Sequence, residues 1–204
     1  MNAFPPNPGR DDGAEPSSAP PQIAAGELGM VAFIAALSMF FIASIVVYLL
    51  MRRMHQPWPP AGFPALPSSL WLSTLDILFT SITIQGAVLA ARRGDATGLR
   101  RNLVATLVLA CGFLGLQSYA WYTIWLQVAA VAGLSSAYLK MFYMLTGLHA
   151  AHVLGGLVPL VMITVAAYRG MYGRKKNAAV RYTAVYWHFL DAVWCAIFVV
   201  VYLL

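Results

Sequence analysis

The sequence is poor in charge. Of 204 residues, 13 are basic and 7 acidic, so 10% are charged, against about 25% in soluble domains. That shortage excludes an ordinary water-soluble domain, and 60% hydrophobic residues and a mean hydropathy of +0.71 agree. Cysteine is nearly absent. The two present, Cys111 and Cys195, each lie inside an apolar run, so no disulfide framework is encoded and a buried packing role is expected for both. No Cys-x-x-Cys-His and no Glu-x-x-His occurs, which removes the usual linear haem-attachment and metal-carboxylate patterns. The alternation over about ten residues that marks membrane β-strands is also missing.

Long apolar runs are what the chain has. Crossing about 30 Å of hydrocarbon at 1.5 Å per residue takes roughly 20 apolar residues. Five runs qualify, at 28–51, 70–91, 103–128, 141–168 and 182–204. Without strands, only helices satisfy their backbone groups in lipid. The predicted fold is an all-α bundle of five transmembrane helices spanning 27–204. Residues 1–26, rich in Pro, Ser and Gly, are predicted to form a disordered cytoplasmic tail. No apolar core follows a basic start there, so a cleaved signal is not expected.

The net charge of +6 is read as topology, with no nucleic-acid partner implied. Arg92, Arg93, Arg100 and Arg101 lie between runs two and three, and Arg169, Arg174, Lys175, Lys176 and Arg181 between runs four and five. The opposite side carries Arg52, Arg53 and Lys140. The excess marks the cytoplasmic face, so the N-terminus is predicted inside and the C-terminus outside. Trp58, Trp71, Tyr138, Tyr168 and Tyr172 fall near run ends, as an interfacial belt does. Five prolines within 52–69 predict a stiff, extended connection over the outer surface.

Ionisable groups inside the membrane are costly, and each calls for a reason. Here they are Asp76, His149, His152, His188 and Asp191, with Gln85 and Gln117 adding uncharged polarity. His149 and His152 are three apart and share a helix side with Thr146 and Gly156. His188 and Asp191 repeat that spacing, and Trp187, Asp191 and Trp194 form a stripe. The two polar faces invite a meeting in which Asp191 orients a histidine, with Gly147, Gly155 and Gly156 allowing close approach. Metal or haem ligation, proton relay and interhelical hydrogen bonding all compete here. Histidines three apart on one helix cannot ligate opposite faces of one haem. A full relay needs more carboxylates than the runs supply. Interhelical hydrogen bonding is therefore the favoured reading. Asp76 has no basic neighbour on its own helix, and packing and function stay even for it.

"FYMLTGLHAAHVLGG", followed about thirty residues later by "VYWHFLDAVWCAIFVVVYLL", resembles subunit III of the haem–copper cytochrome c oxidases. The pattern is carried by Thr146, Gly147, His149, His152 and Val153, then by Tyr186, Trp187, His188, Phe189, Asp191 and Trp194. "GFLGLQSYAW", with Gln117, and "WLSTLDILFTSITI" resemble two further helices of that family. The likeness covers about 26–204 and looks like the short form without the family's first two helices. It implies a non-catalytic subunit of a bacterial inner-membrane oxidase in aerobic respiration. Such a subunit supports assembly, binds phospholipid and sustains proton uptake. It implies no haem, copper or other metal on this chain. Those centres belong to partner subunits I and II, with a subunit IV also implied. A nitric oxide reductase accessory subunit is the related alternative, and a free-standing transporter the unrelated one. Two departures stand out: Leu37 and Ala120 occupy positions where the family usually has Glu. Asp76 is the candidate substitute for the first, provided it faces the first helix.

Overall fold

The computed structural model describes residues 25–60, 62–63, 67–129, 137–173 and 177–203. Five helices appear in chain order: α1 (Ala25–Met54), α2 (Ser69–Arg93), α3 (Ala96–Ala129), α4 (Ala137–Tyr168) and α5 (Ala178–Phe198). The last continues into a π turn, Val199–Leu203. All five are long and apolar enough to cross a membrane, with mean hydropathies between 1.5 and 2.7 over their central windows. The predicted 1–26 tail lies almost wholly outside the described residues.

Helices α3, α4 and α5 begin before the apolar runs do, at Ala96, Ala137 and Ala178. Apolarity ends at the hydrocarbon edge, whereas helical hydrogen bonding continues into the headgroup layer. Local chemistry sets the true ends. Gly94 takes φ 78° and closes α2 through bonds from its N–H to the Ala90 and Ala91 carbonyls, a left-handed cap that suits glycine. Asp95 then opens α3, its Oδ1 accepting the Gly98 N–H at 2.9 Å, which satisfies one of the free N–H groups there. Helix α4 ends at Gly170 (φ 71°), and the Met171 N–H returns to the Ala166 carbonyl at 3.1 Å. Arg100 of α3 caps the same end, donating to the carbonyls of Ala167 (3.1 Å) and Tyr168 (3.4 Å). A cation there also complements the helix dipole.

Helix α5 is the central element. It packs on α1, α2 and α4, while α2 and α3 form the most extensive antiparallel pair. Within its central window α5 is 56% buried and α1 only 6%, so α1 is the peripheral helix, lying on α4 and α5. Ile84, Leu103, Phe113, Val153, Trp187, Leu190 and Trp194 are among the residues that form one core through α2–α5. A second core brings Phe41 and Tyr48 of α1 against Ile124, Phe142, Leu145 and Ile197.

Two expectations change. Cys111 is exposed on α3 and Cys195 half-buried, because an apolar run does not say which helix face turns inward. The described part of the proline-rich connection packs onto the bundle through Trp58 and Phe63. The Trp58 indole donates to the Tyr48 hydroxyl at 3.1 Å, and Trp58 and Phe63 meet the Tyr138 ring edge-on at 5.1 and 4.6 Å. Aromatic contacts of this kind outweigh the extended preference of the prolines.

Candidate functional site

The embedded polar residues sort into three places. The first lies between α2 and α5. The Ser81 hydroxyl is hydrogen-bonded to Asp191 Oδ2, and Ser81 Oγ is also 2.8 Å from His188 Nδ1. His188 Nε2 lies 3.3 Å from Gln85 Oε1. The bonds run Gln85–His188–Ser81–Asp191, from an exposed amide to a carboxyl that is 4% exposed. Two proton arrangements satisfy these bonds. With Asp191 as a carboxylate, Ser81 donates to it and His188 Nδ1–H donates to Ser81. With Asp191 protonated, its hydroxyl donates to Ser81, Ser81 donates to His188 Nδ1, and Nε2–H donates to Gln85 Oε1. One turn along, Trp194 donates to Thr74 Oγ1 at 3.1 Å, a second tie between α5 and α2.

The second place is α4. His149 is 0% exposed, and neither ring nitrogen has a hydrogen-bond partner. Its ring is surrounded by Trp194 (5.2 Å), Phe113 (5.7 Å) and Phe41 (6.3 Å). It packs as an aromatic disc at the junction of four helices. His152 turns toward α1, 5.0 Å from the Phe41 ring, and its Nδ1 donates to the Leu148 carbonyl at 2.8 Å. The Tyr186 hydroxyl donates to the His152 carbonyl at 2.9 Å. Thr146 accepts from the Trp121 indole at 3.1 Å and donates to the Phe142 carbonyl. Gly156 is the close-approach glycine of α4, since a Cβ there would lie 2.7 Å from Tyr186 Cε1. The two motif helices therefore do meet, through Trp194 against His149 and Tyr186 against Gly156. Asp191 is bonded to Ser81 of α2, not to a histidine of α4. Trp187 is buried with its indole N–H unpaired.

Asp76 and Gln117 make up the rest. Asp76 Oδ2 is buried without a partner, and Oδ1 would be 3.4 Å from a Cβ at Gly112. That puts Asp76 on the α2–α3 seam, while α1 packs on α4 and α5. It does not face Leu37, so the condition for its replacing the lost Glu is not met. Gln117 is 1% exposed, with both amide atoms unpaired, and Ala120 beside it is fully buried. Among the described residues no group of three or more His, Cys, Asp or Glu is disposed to hold a metal ion. Sequence reasoning missed Ser81, Thr74 and Trp121. Hydroxyls and indoles look like ordinary filling until the facing helix is known.

The fold defines a multi-pass α-helical membrane protein. Comparison with known sequences makes this more specific. Residues 21–204 match the family described as cytochrome c oxidase subunit III. A probable cytochrome c oxidase subunit 3 of Mycobacterium leprae is 33% identical over 180 residues, 86% of each chain. Cytochrome c oxidase subunit 3 of Thermostichus vulcanus is 29% identical over 178 residues, 87% of this chain and 86% of that one. The Synechocystis protein of the same name is 30% identical over 178 residues, 86% of this chain and 74% of its own. The chain belongs to the cytochrome c oxidase subunit III family, as an integral-membrane component of a haem–copper oxidase.

Proposed function

We propose that this chain is the accessory, non-catalytic subunit of a bacterial inner-membrane cytochrome c oxidase. In this reading it flanks subunit I in a complex that also holds subunit II, and it sustains proton uptake during turnover. Haem and copper sit in the partners. The observation that carries this reading is the state of the embedded histidines. His149 is enclosed by aromatic rings, and His152 and His188 are engaged with Leu148, Ser81 and Gln85. That is the arrangement of a scaffold.

The basic residues favour the N-terminus in the cytoplasm and the C-terminus outside. Phospholipid fits two apolar hollows beside α1. One, of about 530 Å³, runs between α1 and α5 and ends at Arg181 and Glu27, which pair at 2.8 Å. The other, of about 340 Å³, is lined by Phe33, Pro159 and Tyr186. An acyl chain suits such walls, and Arg181 suits a phosphate. Asp76 does not stand in for the Glu lost at Leu37; a separate proton-related role is proposed for it from its buried, unpartnered carboxyl oxygen on the α2–α3 seam. Asp76→Asn is expected to lower turnover or shorten the enzyme's working life, and an unchanged oxidase would remove that role.

The test of the main reading compares complete oxidase with the same complex stripped of this chain. The haem spectrum and initial rate should persist within about twofold, while activity should decay over fewer turnovers. Loss of a haem band in proportion to the chain removed would overturn it.

A further inference from the structure

We propose that the outward face where α2 and α5 meet seats a transmembrane helix of another oxidase subunit, and that Gln85 is its polar contact. This rests on the accessory-subunit reading and names a surface for it. Gln85 is exposed on α2, and Ser81 and His188 beside it are half-buried. The polar chain that begins at buried Asp191 therefore comes out at the side of the bundle. One end of the Gln85 amide meets His188 Nε2 at 3.3 Å. Among the described residues the other end has no partner, whichever way the amide is turned. Depth makes this costly. Gln85 lies about 21 Å along α2 from Trp71 and about 10 Å from Arg92, the aromatic and the basic residue that mark the two ends of the span. An amide end left open to hydrocarbon at that depth is penalised.

The surroundings decide the occupant. Ile82 and Leu89 stand one turn to either side of Gln85 on α2, and Val185 stands one turn before His188 on α5. All three are exposed. Acyl chains cover such residues but give Gln85 neither a donor nor an acceptor. Headgroups stop nearly two turns away, at Arg92. A water molecule needs two to four polar partners, and the surface around Gln85 and His188 is apolar. A helix of another subunit meets both demands. Its apolar side chains cover Ile82, Leu89 and Val185, and one Asn, Gln, Ser or Thr on it serves the amide as donor or acceptor. Ala192 and Ala196, one and two turns beyond His188 and both exposed, leave room for its backbone. The chain is a component of a haem–copper oxidase, so such helices are at hand in the other components.

The test uses the intact oxidase. A genetically encoded diazirine amino acid replaces Ile82, exposed one turn from Gln85. After irradiation, adducts are identified by mass spectrometry. The expected product joins position 82 to a transmembrane segment of a different subunit. Adducts confined to phospholipid, to inserted water or to a second copy of this chain would overturn the proposal. Gln85→Leu keeps the bulk of the side chain and removes its amide. The fraction of this chain washed from the complex by detergent should then rise about fivefold, the worth of one ordinary hydrogen bond. An amide facing lipid gives the opposite sign, because leucine suits hydrocarbon better, so retention that is unchanged or improved would overturn the proposal. The crosslink is read with Gln85 in place and does not depend on how the leucine variant folds. If the unmodified chain brings no haem-containing partner, the accessory-subunit reading fails and this inference falls with it. If the partner comes but position 82 reaches only lipid, this inference alone fails.

Discussion

At the residue scale, His149 is a histidine used for its ring. Both nitrogens lack partners, and three aromatic rings enclose it. A shape-preserving apolar replacement should therefore cost little. His149→Leu is expected to lose less than about 1.5 kcal/mol of stability. His149→Ala leaves a cavity and should lose about 3 kcal/mol. Denaturant titration of the chain in detergent micelles distinguishes the two, and an equal, large loss for both would show that the imidazole itself is needed. Ser81 is the opposite case, a small side chain on which two others depend. Ser81→Ala strips His188 Nδ1 and Asp191 Oδ2 of their shared partner and should cost about 2 kcal/mol. A loss near zero in the same titration would mean that Asp191 and His188 find each other without it.

At the element scale, glycines and caps set how the helices meet. A Cβ at Gly156 would press on Tyr186 and pull its hydroxyl from the His152 carbonyl. Gly156→Ala should cost about 1–3 kcal/mol, against about 1 kcal/mol for Tyr186→Phe. Thermal unfolding of the two variants side by side checks the order. Much of the element plan is readable from sequence, because the five apolar runs coincide with the centres of the five helices. The ends are not, because Asp95, Gly94 and Arg100 act through hydrogen bonds that hydropathy does not weigh. The site is readable in part. The spacing of His188 and Asp191 places both on one side of α5. The choice of Ser81 as their partner depends on how α2 and α5 lie together, across 107 and 110 residues of chain. Cys111 shows the same limit, since its apolar neighbours gave no sign that it faces outward.

At the scale of the whole molecule, the bundle has a central helix, a loosely held peripheral one and a charge asymmetry between its two ends. The 92–101 and 169–181 segments carry Arg92, Arg93, Arg100, Arg101, Arg169 and Arg181, and the other end has Arg52, Arg53 and Lys140. With the cytoplasm on the strongly basic side, a cysteine at Arg93 should react with an impermeant maleimide only in inside-out vesicles. One at Arg53 should react only in right-side-out ones. The reversed pattern would invert the topology. Helix α1, 6% buried in its central window, is the least buried of the five helices.

The measurement that bears most directly on this account is purification of the tagged chain in mild detergent, with an optical spectrum and mass spectrometry of what accompanies it. The account predicts that haem and copper arrive in fixed proportion to a large multi-helix partner, and that the chain separated from that partner is colourless. A chain that purifies alone yet carries haem would contradict it, and would make ligands of His149, His152 and His188 after all.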